Sequence, residues 1–355
     1  MDIFESTRSY ERWLGRQIDL VPDDLARKHE RMREDAFVFF RATYFRWLDR
    51  LSDIAPQLDG PRIACVGDLH IENFGTWRDA EGRLVWGVND FDESEELPYT
   101  LDLARLATSA ALAIEQEKGL DLKPAAACKA ILAGYAEALA DGGRPFVFAG
   151  RHERLARLVA GVLPDPDKWW EDVLEPEVVD DVPAKALEAL EPLLPARDWP
   201  YVARGRDAGV GSLGHRRLVM TGELDGAPAA RELKQLSPPA GVWLDRPPTD
   251  SAEDRPTIVR SPDPLRARRA GWLCRRIAPD CVKLQLGDLE TQDNARRLLE
   301  SMGAETANVH AGSPERVPEV AADLERRAGD WLEHAATTLA EAAHRDYKDW
   351  CKHDG

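Results

Sequence analysis

Cysteine is scarce and scattered in this chain of 355 residues. The five present, Cys65, Cys128, Cys274, Cys281 and Cys351, include no C-x-x-C pair. An odd set of this kind does not build a disulfide framework and reads as free thiols in a reducing cytosol. Long apolar runs are missing too. Nowhere do roughly 18 apolar residues follow one another, so no membrane span is expected. The opening Met1-Asp2-Ile3-Phe4-Glu5 has neither a basic nor an apolar leader region, so no signal peptide is expected and a cytoplasmic location is. Positive charge is in deficit: the formal charge is −17. A general nucleic-acid binder would carry a basic footprint, so no nucleic-acid partner is expected, although a local basic patch can still hold a phosphate. What is present, 43% hydrophobic and 31% charged residues, is enough for a sizeable core in a soluble chain, and the length fits two lobes or domains.

Periodicity gives the elements. Residues 22 to 53 read as a helix that starts at Pro22-Asp23-Asp24 and buries Phe37, Phe40, Tyr44 and Trp47 at steps of three and four. Arg41 lies on the same stretch and is available to a phosphate or carboxylate. Pro61 to Val66 and Arg83 to Val88 read as short strands; Leu101 to Gln116 and Pro124 to Leu139 read as helices. The proline-containing stretch 141–200 reads as a connecting region. Three strands follow, Tyr201 to Arg206, Arg216 to Leu224 and Ala230 to Leu236, with Asp225-Gly226 as a hairpin turn. Residues 237–263 read as a loop, the basic stretch Leu265 to Ile277 as a helix, Cys281 to Leu286 as a strand, and the chain from Asn294 as mostly helical.

Two clusters carry chemistry. In Gly67-Asp68-Leu69-His70-Ile71-Glu72-Asn73-Phe74-Gly75, Asp68 and Asn73 stand five positions apart, the spacing of the kinase catalytic loop. A carboxylate there accepts the proton of an attacking hydroxyl, His70 lies between, and an amide oxygen holds a phosphate-bound metal. Asp90, after the strand ending at Val88, faces such a metal from the other side, and Asp92 is a second carboxylate. Magnesium takes hard oxygen ligands and keeps several waters, so one Asn and one or two Asp suffice. An isolated Asp-x-Asp is ordinarily a solvated turn; its place after the 67–75 segment makes it a metal candidate.

The second cluster is Gly209-Val210-Gly211-Ser212-Leu213-Gly214, a G-x-G-x-x-G match. Alone it also fits a dinucleotide-binding turn, which must open a helix. Here a strand is expected next, the arrangement in which backbone N–H groups cover phosphates. Lys234, in the third strand, would reach those phosphates.

These residues resemble the protein-kinase-like superfamily, and Gly67 to Asn73 with Asp90 are most similar to aminoglycoside and choline-type phosphotransferases. The whole chain resembles a bacterial family catalogued as domain of unknown function 2252, on Arg31-Met32 with Phe37 to Arg41, Gly67 to Gly75, Asn89 to Glu93, Gly209 to Gly214 and Asp346-Tyr347. The resemblance implies an α+β, bilobal fold in circularly permuted order. A helical catalytic lobe (1–200) comes first, then a β-rich nucleotide-binding lobe (201–290), then C-terminal helices (291–355) that pack back on the first. It further implies that Asp102, opening a Leu-Asp-Leu-Ala helix, braces the catalytic loop, and that the cofactors are ATP and Mg. Two positions depart from the pattern. The stretch expected to follow Lys234 as a helix has no Glu to pair with it, and Val66 stands where His-Gly-Asp would place a His.

The function implied is ATP- and Mg-dependent phosphoryl transfer to a hydroxyl of a small molecule or protein. Asp68 and His70 are the catalytic residues; Asn73, Asp90 and Asp92 hold the metal; Gly209, Gly211, Ser212, Gly214 and Lys234 hold the nucleotide. Nucleotidyl (AMP) transfer and a catalytically silent ATP-binding regulator are the alternatives; a Rossmann-type oxidoreductase would need a helix after Gly214.

Overall fold

Alternation, rather than helical periodicity, governs the stretch from 201 to 276. In the computed structural model, which describes residues 1–352 apart from 118, 207, 208 and 249, it forms a five-stranded antiparallel sheet. This sheet is one part of a mixed α+β architecture. Among the described residues, no helix is long and apolar enough to cross a membrane.

In chain order the elements open with helices α1 (Ile3–Leu14), α2 (Pro22–Arg31), α3 (Ala36–Ala42) and α4 (Tyr44–Ile54). Strands β1 (Arg62–Cys65), β2 (Phe74–Arg78), β3 (Leu84–Val88) and β4 (Glu95–Pro98) lead to α5 (Tyr99–Gln116) and α6 (Pro124–Ala140). Strand β5 (Phe146–Val147) and the short helices α7 (Glu153–Gly161), α8 (Pro166–Leu174) and α9 (Ala184–Leu190) connect to the large sheet. Its strands are β6 (Tyr201–Gly205), β7 (Arg217–Leu224), β8 (Ala227–Gln235), β9 (Arg266–Arg269) and β10 (Trp272–Arg276), with α10 (Ala240–Trp243) between β8 and β9. Helices α11 (Gln292–His310), α12 (Val317–Arg326) and α13 (Trp331–Lys352) end the described chain.

Helix α5 is apolar on every side, so it is buried on every side, as expected of a helix at the centre of a core. Helices α6, α11 and α13 pack around it. Two glycines set the closest approach. A Cβ on Gly134 of α6 would strike the carbonyl of Glu300, and one on Gly303 of α11 would strike that of Ile131, so the two helices touch backbone to backbone. The large sheet has its own core, where Leu218, Met220, Leu233, Trp272 and Cys274 cover Ala186, Ala189 and Leu190 of α9. Strand order is β6-β7-β8-β10-β9, and the residues of opposite parity, including Arg217, Glu232, Lys234 and Arg275, point away from that core.

Three sequence expectations are corrected. The basic stretch 265–277 is the β9–β10 hairpin, not a helix. Ala267, Trp272 and Cys274 face the sheet core at period two, and Arg266, Arg268 and Arg275 lie on the opposite side of the two strands. Its turn, Ala270-Gly271 with φ of 53° and 79°, matches the backbone of Asp225-Gly226 without the Asp or Asn that signals a hairpin. The expected helix 22–53 is three helices: Asp35 caps α3 by accepting from the Val38 N–H (2.8 Å), and Thr43, at φ −124°, separates α3 from α4. Cys281 to Leu286 is irregular, joined to β2 by one bridge between Gly75 and Lys283 and by hydrogen bonds between Thr76 and Val282. Strands β2, β4 and β5 were not among the expected elements.

Candidate functional site

The segment after β1 alternates between anchors and ligands. Leu69, Ile71 and Phe74 are buried in the main core, which leaves Asp68, His70 and Asn73 to line a cleft. A single turn over Ile71–Asn73 fixes them: the Asn73 Oδ1 accepts from the His70 N–H (2.9 Å), and the His70 Nδ1 accepts from the Glu72 N–H (3.2 Å). Gly67 has φ of 88°, and a Cβ there would collide with the carbonyl of Glu93. Only glycine fits that approach.

Helix α5 holds the segment from behind. The carboxylate of Asp102 accepts from the N–H groups of Val66 (2.7 Å) and Gly67 (2.9 Å), and Ser109 Oγ accepts from that of Ile71 (3.1 Å). His310 Nε2 lies 3.1 Å from Asp102, and the Tyr135 hydroxyl 2.8 Å from His310 Nδ1. Cys65, Asp102 and His310 bring three ligand atoms close together, but both Asp102 oxygens are already engaged by N–H groups and the site is sealed from solvent, so the cluster is a brace. Burial also holds the Cys65 sulfur as a neutral thiol by pushing its pKa well up.

Arg105, one turn after Asp102, is fully buried and lies over the Phe40 ring at 3.6 Å, with its Nε (2.9 Å) and Nη2 (2.6 Å) both donating to Asp68 Oδ1. Burial raises the pKa of Asp68, and the guanidinium opposes that rise. The imidazole of His70 is driven well below its ordinary pKa by burial and by the charges of Arg41 and Lys283, so it stays neutral at pH 7.

The β2–β3 hairpin delivers the next ligands. Asn89 N–H donates to the Asn73 carbonyl (2.9 Å), and Phe91 is buried, which leaves Asp90 and Asp92 facing the cleft. Burial would raise the pKa of Asp90, but Lys234, Lys283 and Arg266 outweigh it and hold the group ionised. Lys234, from β8, places Nζ 3.3 Å from Asp90 and in ion-pair contact with Asp92, which Arg268 also reaches (3.1 Å). These two aspartates are the ion-pair partners of Lys234. Beside them Glu93 accepts from the Ala240 N–H (2.6 Å), and burial raises its pKa to about 8.

Strand β7, not a helix, follows Gly214, so the dinucleotide-binding alternative lacks its defining element. The loop is pinned by Val210 and Leu213, which are buried against Val38 and Phe39 of α3. Gly209, Gly211 and Ser212 line the cleft; Gly214, at φ of 100°, instead packs on Leu20 and Leu25 beside α2. Ser212 Oγ accepts from Arg217 Nη2 (3.0 Å).

Of the ten expected site residues, Asp68, His70, Asn73, Asp90, Asp92, Gly209, Gly211, Ser212 and Lys234 therefore surround one cavity of about 140 Å³. An adjoining cavity of about 330 Å³ shares Asn89, Arg275 and Lys283 with it and is walled by Trp77, Phe91, Trp169 and Ile277.

Several residues of the site were not expected. Glu232 is buried among Arg206 (3.0 Å), Arg217 (3.0 Å) and Arg275 (2.5 Å). Burial would raise its pKa, and the three guanidiniums hold it well below the ordinary range. Lys283 is exposed to the cleft, yet the low-polarity walls and Arg41 bring its ammonium down to about 8, against the pull of Asp90 and Glu72. Arg41, which the sequence did offer to a phosphate or carboxylate, pairs with Glu72 at 2.8 Å. Signals did exist: Arg105 is a charge inside an otherwise apolar helix, and Glu232 shares a strand face with Lys234 at period two.

Residues 20–149, which include the 67–75 segment, the Asp90 turn and the Asp102 brace, match the profile of a family described as uncharacterized protein conserved in bacteria (DUF2252). No curated protein and no solved structure matches the chain.

Proposed function

We propose that the chain binds ATP with a divalent metal and transfers the terminal phosphoryl group to an acceptor hydroxyl, on a bilobal, protein-kinase-like fold in permuted order. The observation that carries this reading is the single cleft in which Asp68, Asn73 and Asp90 face Lys234 and the glycine loop. The five-stranded sheet, with that loop joining its first two strands and Lys234 on the third, supports the permuted reading, in which 1–200 is the catalytic lobe, 201–290 the nucleotide lobe and 291–355 its return.

The donor set suits a hard cation. Asn73 and the two aspartates supply oxygen, and the ammonium of Lys234 already sits against both carboxylates, so the position favours positive charge. A magnesium ion there would neutralise charge on the transferring phosphoryl group. Lys234, Arg217 and the loop N–H groups would hold the phosphates, and the adjoining cavity would take the base. Asp68 would accept the acceptor's proton on Oδ2, which accepts no hydrogen bond among the described residues, while Arg105 fixes the carboxylate's orientation through Oδ1.

ATP labelled separately at the γ-phosphate and the adenosine distinguishes phosphoryl from AMP transfer in an acceptor screen. Asp68→Asn should leave ATP affinity within a few-fold and cut turnover, or slow ATP hydrolysis, by roughly 100-fold or more. Loss of ATP binding in that variant would make Asp68 a metal or structural residue. A second reading, a catalytically silent ATP-binding regulator, is favoured by one observation: a buried arginine occupies one oxygen of Asp68 and lowers its basicity. Tight binding without any hydrolysis would select it.

A further inference from the structure

Charges around the cleft do not cancel, and the surplus is positive in a chain whose formal charge is −17. The carboxylates nearest the 67–75 segment are paired: Asp68 with Arg105, Glu72 with Arg41, and Asp90 and Asp92 together with Lys234, Asp92 also with Arg268. Across the cleft one carboxylate, Glu232, faces three guanidiniums. Lys283 makes no ion pair among the described residues and is open to the cleft. Arg41 keeps its Nε buried without a hydrogen-bond partner.

These cations fall in two places. Arg217 binds the glycine-loop Ser212 and lies opposite Lys234 in the sheet, so with Arg275 it belongs to the side that would hold the donor phosphates. Arg41 and Lys283 lie toward the 67–75 segment, although Arg41 also borders Gly209 and Lys283 also borders the adjoining cavity. Arg41 projects from α3 and ends on Glu72 of the catalytic-loop turn; Lys283 is bridged through its backbone to Gly75, in β2; and both charges act on His70. Both line the cavity that Asp68 lines, so an acceptor hydroxyl placed at Asp68 would share that cavity with this pair. We propose that Arg41 and Lys283 form a subsite for an oxyanion, a phosphate or carboxylate carried by the acceptor next to its reactive hydroxyl. This rests on the phosphotransferase reading and deepens it: the acceptor is anionic, and a polycationic amine is repelled by the same pair. A guanidinium fork next to an ammonium matches such a group, since charge-assisted hydrogen bonds to oxyanions are the strong ones.

The test titrates inorganic phosphate, and in a parallel arm succinate, into the protein saturated with the non-hydrolysable analogue AMP-PNP and magnesium, following melting temperature and calorimetric heat. At least one anion should bind alongside the nucleotide, and the arm that responds names the oxyanion. Lys283→Gln should weaken that anion about tenfold and AMP-PNP by a clearly smaller factor. Arg41→Gln should do the same, but it strands Glu72, so the exposed Lys283 is the deciding variant. The proposal is overturned if the anion only competes with AMP-PNP, if neither anion binds, or if Lys283→Gln weakens AMP-PNP as much as the anion, since the pair would then serve the donor. A protein that binds no AMP-PNP but still binds phosphate through Lys283 would refute the phosphotransferase reading and leave the anion subsite standing.

Discussion

The two sides of the cleft solve the problem of buried charge in opposite ways. On the side of β1 and α5, Asp102 and Glu93 accept from backbone N–H groups, those of Val66 and Gly67 and that of Ala240, while Asp68 and Glu72 each meet a single arginine. On the side of the large sheet, Glu232 is satisfied by three arginines reaching across β6, β7 and β10. The first scheme fixes the backbone and leaves a polar surface of modest charge, suited to coordinating a cation. The second leaves excess positive charge after folding, suited to an anion that arrives later. The sheet side is thus incomplete as a folded object in a way the α5 side is not.

Asp102→Ala should break the first scheme with the largest effect. It strands two backbone donors and His310 in a sealed interior, at about 1–3 kcal/mol for each orphaned group, so denaturant unfolding should show a loss of about 3–5 kcal/mol. A loss below about 1 kcal/mol would mean that the brace is ornamental. Glu232→Ala should follow at about 2–4 kcal/mol, because Arg217 and Arg275 lose their shared partner. Added phosphate or sulfate should recover part of that loss by occupying the vacated charge site, whereas the same salts should not rescue Asp102→Ala. Equal rescue of both would erase the distinction between the two sides.

Asp90→Ala should be milder for the fold. Asp90 is 40% exposed, and its pair with Lys234 is screened, so the ligand-free melting temperature should move little, by an amount equivalent to about 1 kcal/mol or less. The magnesium-dependent part of the ATP-induced rise in melting temperature should disappear; its full survival would remove Asp90 as a principal ligand. A comparison that reads out in pH concerns Glu93. Its folded pKa, about 8, lies above the ordinary 4.5, so between those values the unfolded chain releases a proton that the folded one keeps. Stability from this group is therefore full at acid pH and declines as pH rises toward 8. Glu93→Gln should flatten that decline in melting temperature, and an unchanged slope would show that Glu93 is ionised in the folded protein. Glu305, raised by burial to about 7, contributes in the same direction and remains as background.

Local spacing was readable because it is set by the chain itself. Asp68 and Asn73 lie on one tight turn, and Asp90 follows a strand that pairs directly with the one after that turn, so their order in sequence is close to their order in space. The glycine loop was legible through its flanking strands, although Gly214 turns out to serve packing on α2 rather than the cleft. The basic stretch 265–277 misled because arginine at every second or third position satisfies either period. Only the neighbouring strand β8 selects the extended form, by offering Gln235 to Arg231 as a pairing edge to Trp272–Arg276.

By itself, then, the amino-acid order determined which short segments could carry a proton acceptor, a metal ligand and a phosphate loop, since those demands are met within a few residues. It also determined the central helix, whose all-round apolarity from Tyr99 to Ile114 is interrupted by two charges, Asp102 and Arg105. Tertiary structure decided what those charges do. Arg105 meets Asp68, His310 meets Asp102, Lys234 meets Asp90 and Asp92, and Lys283 makes no ion pair among the described residues. A charge's partner depends on which surfaces the hydrophobic cores bring together, and the strength of each pairing depends on how much water that packing excludes, neither of which is written in local sequence.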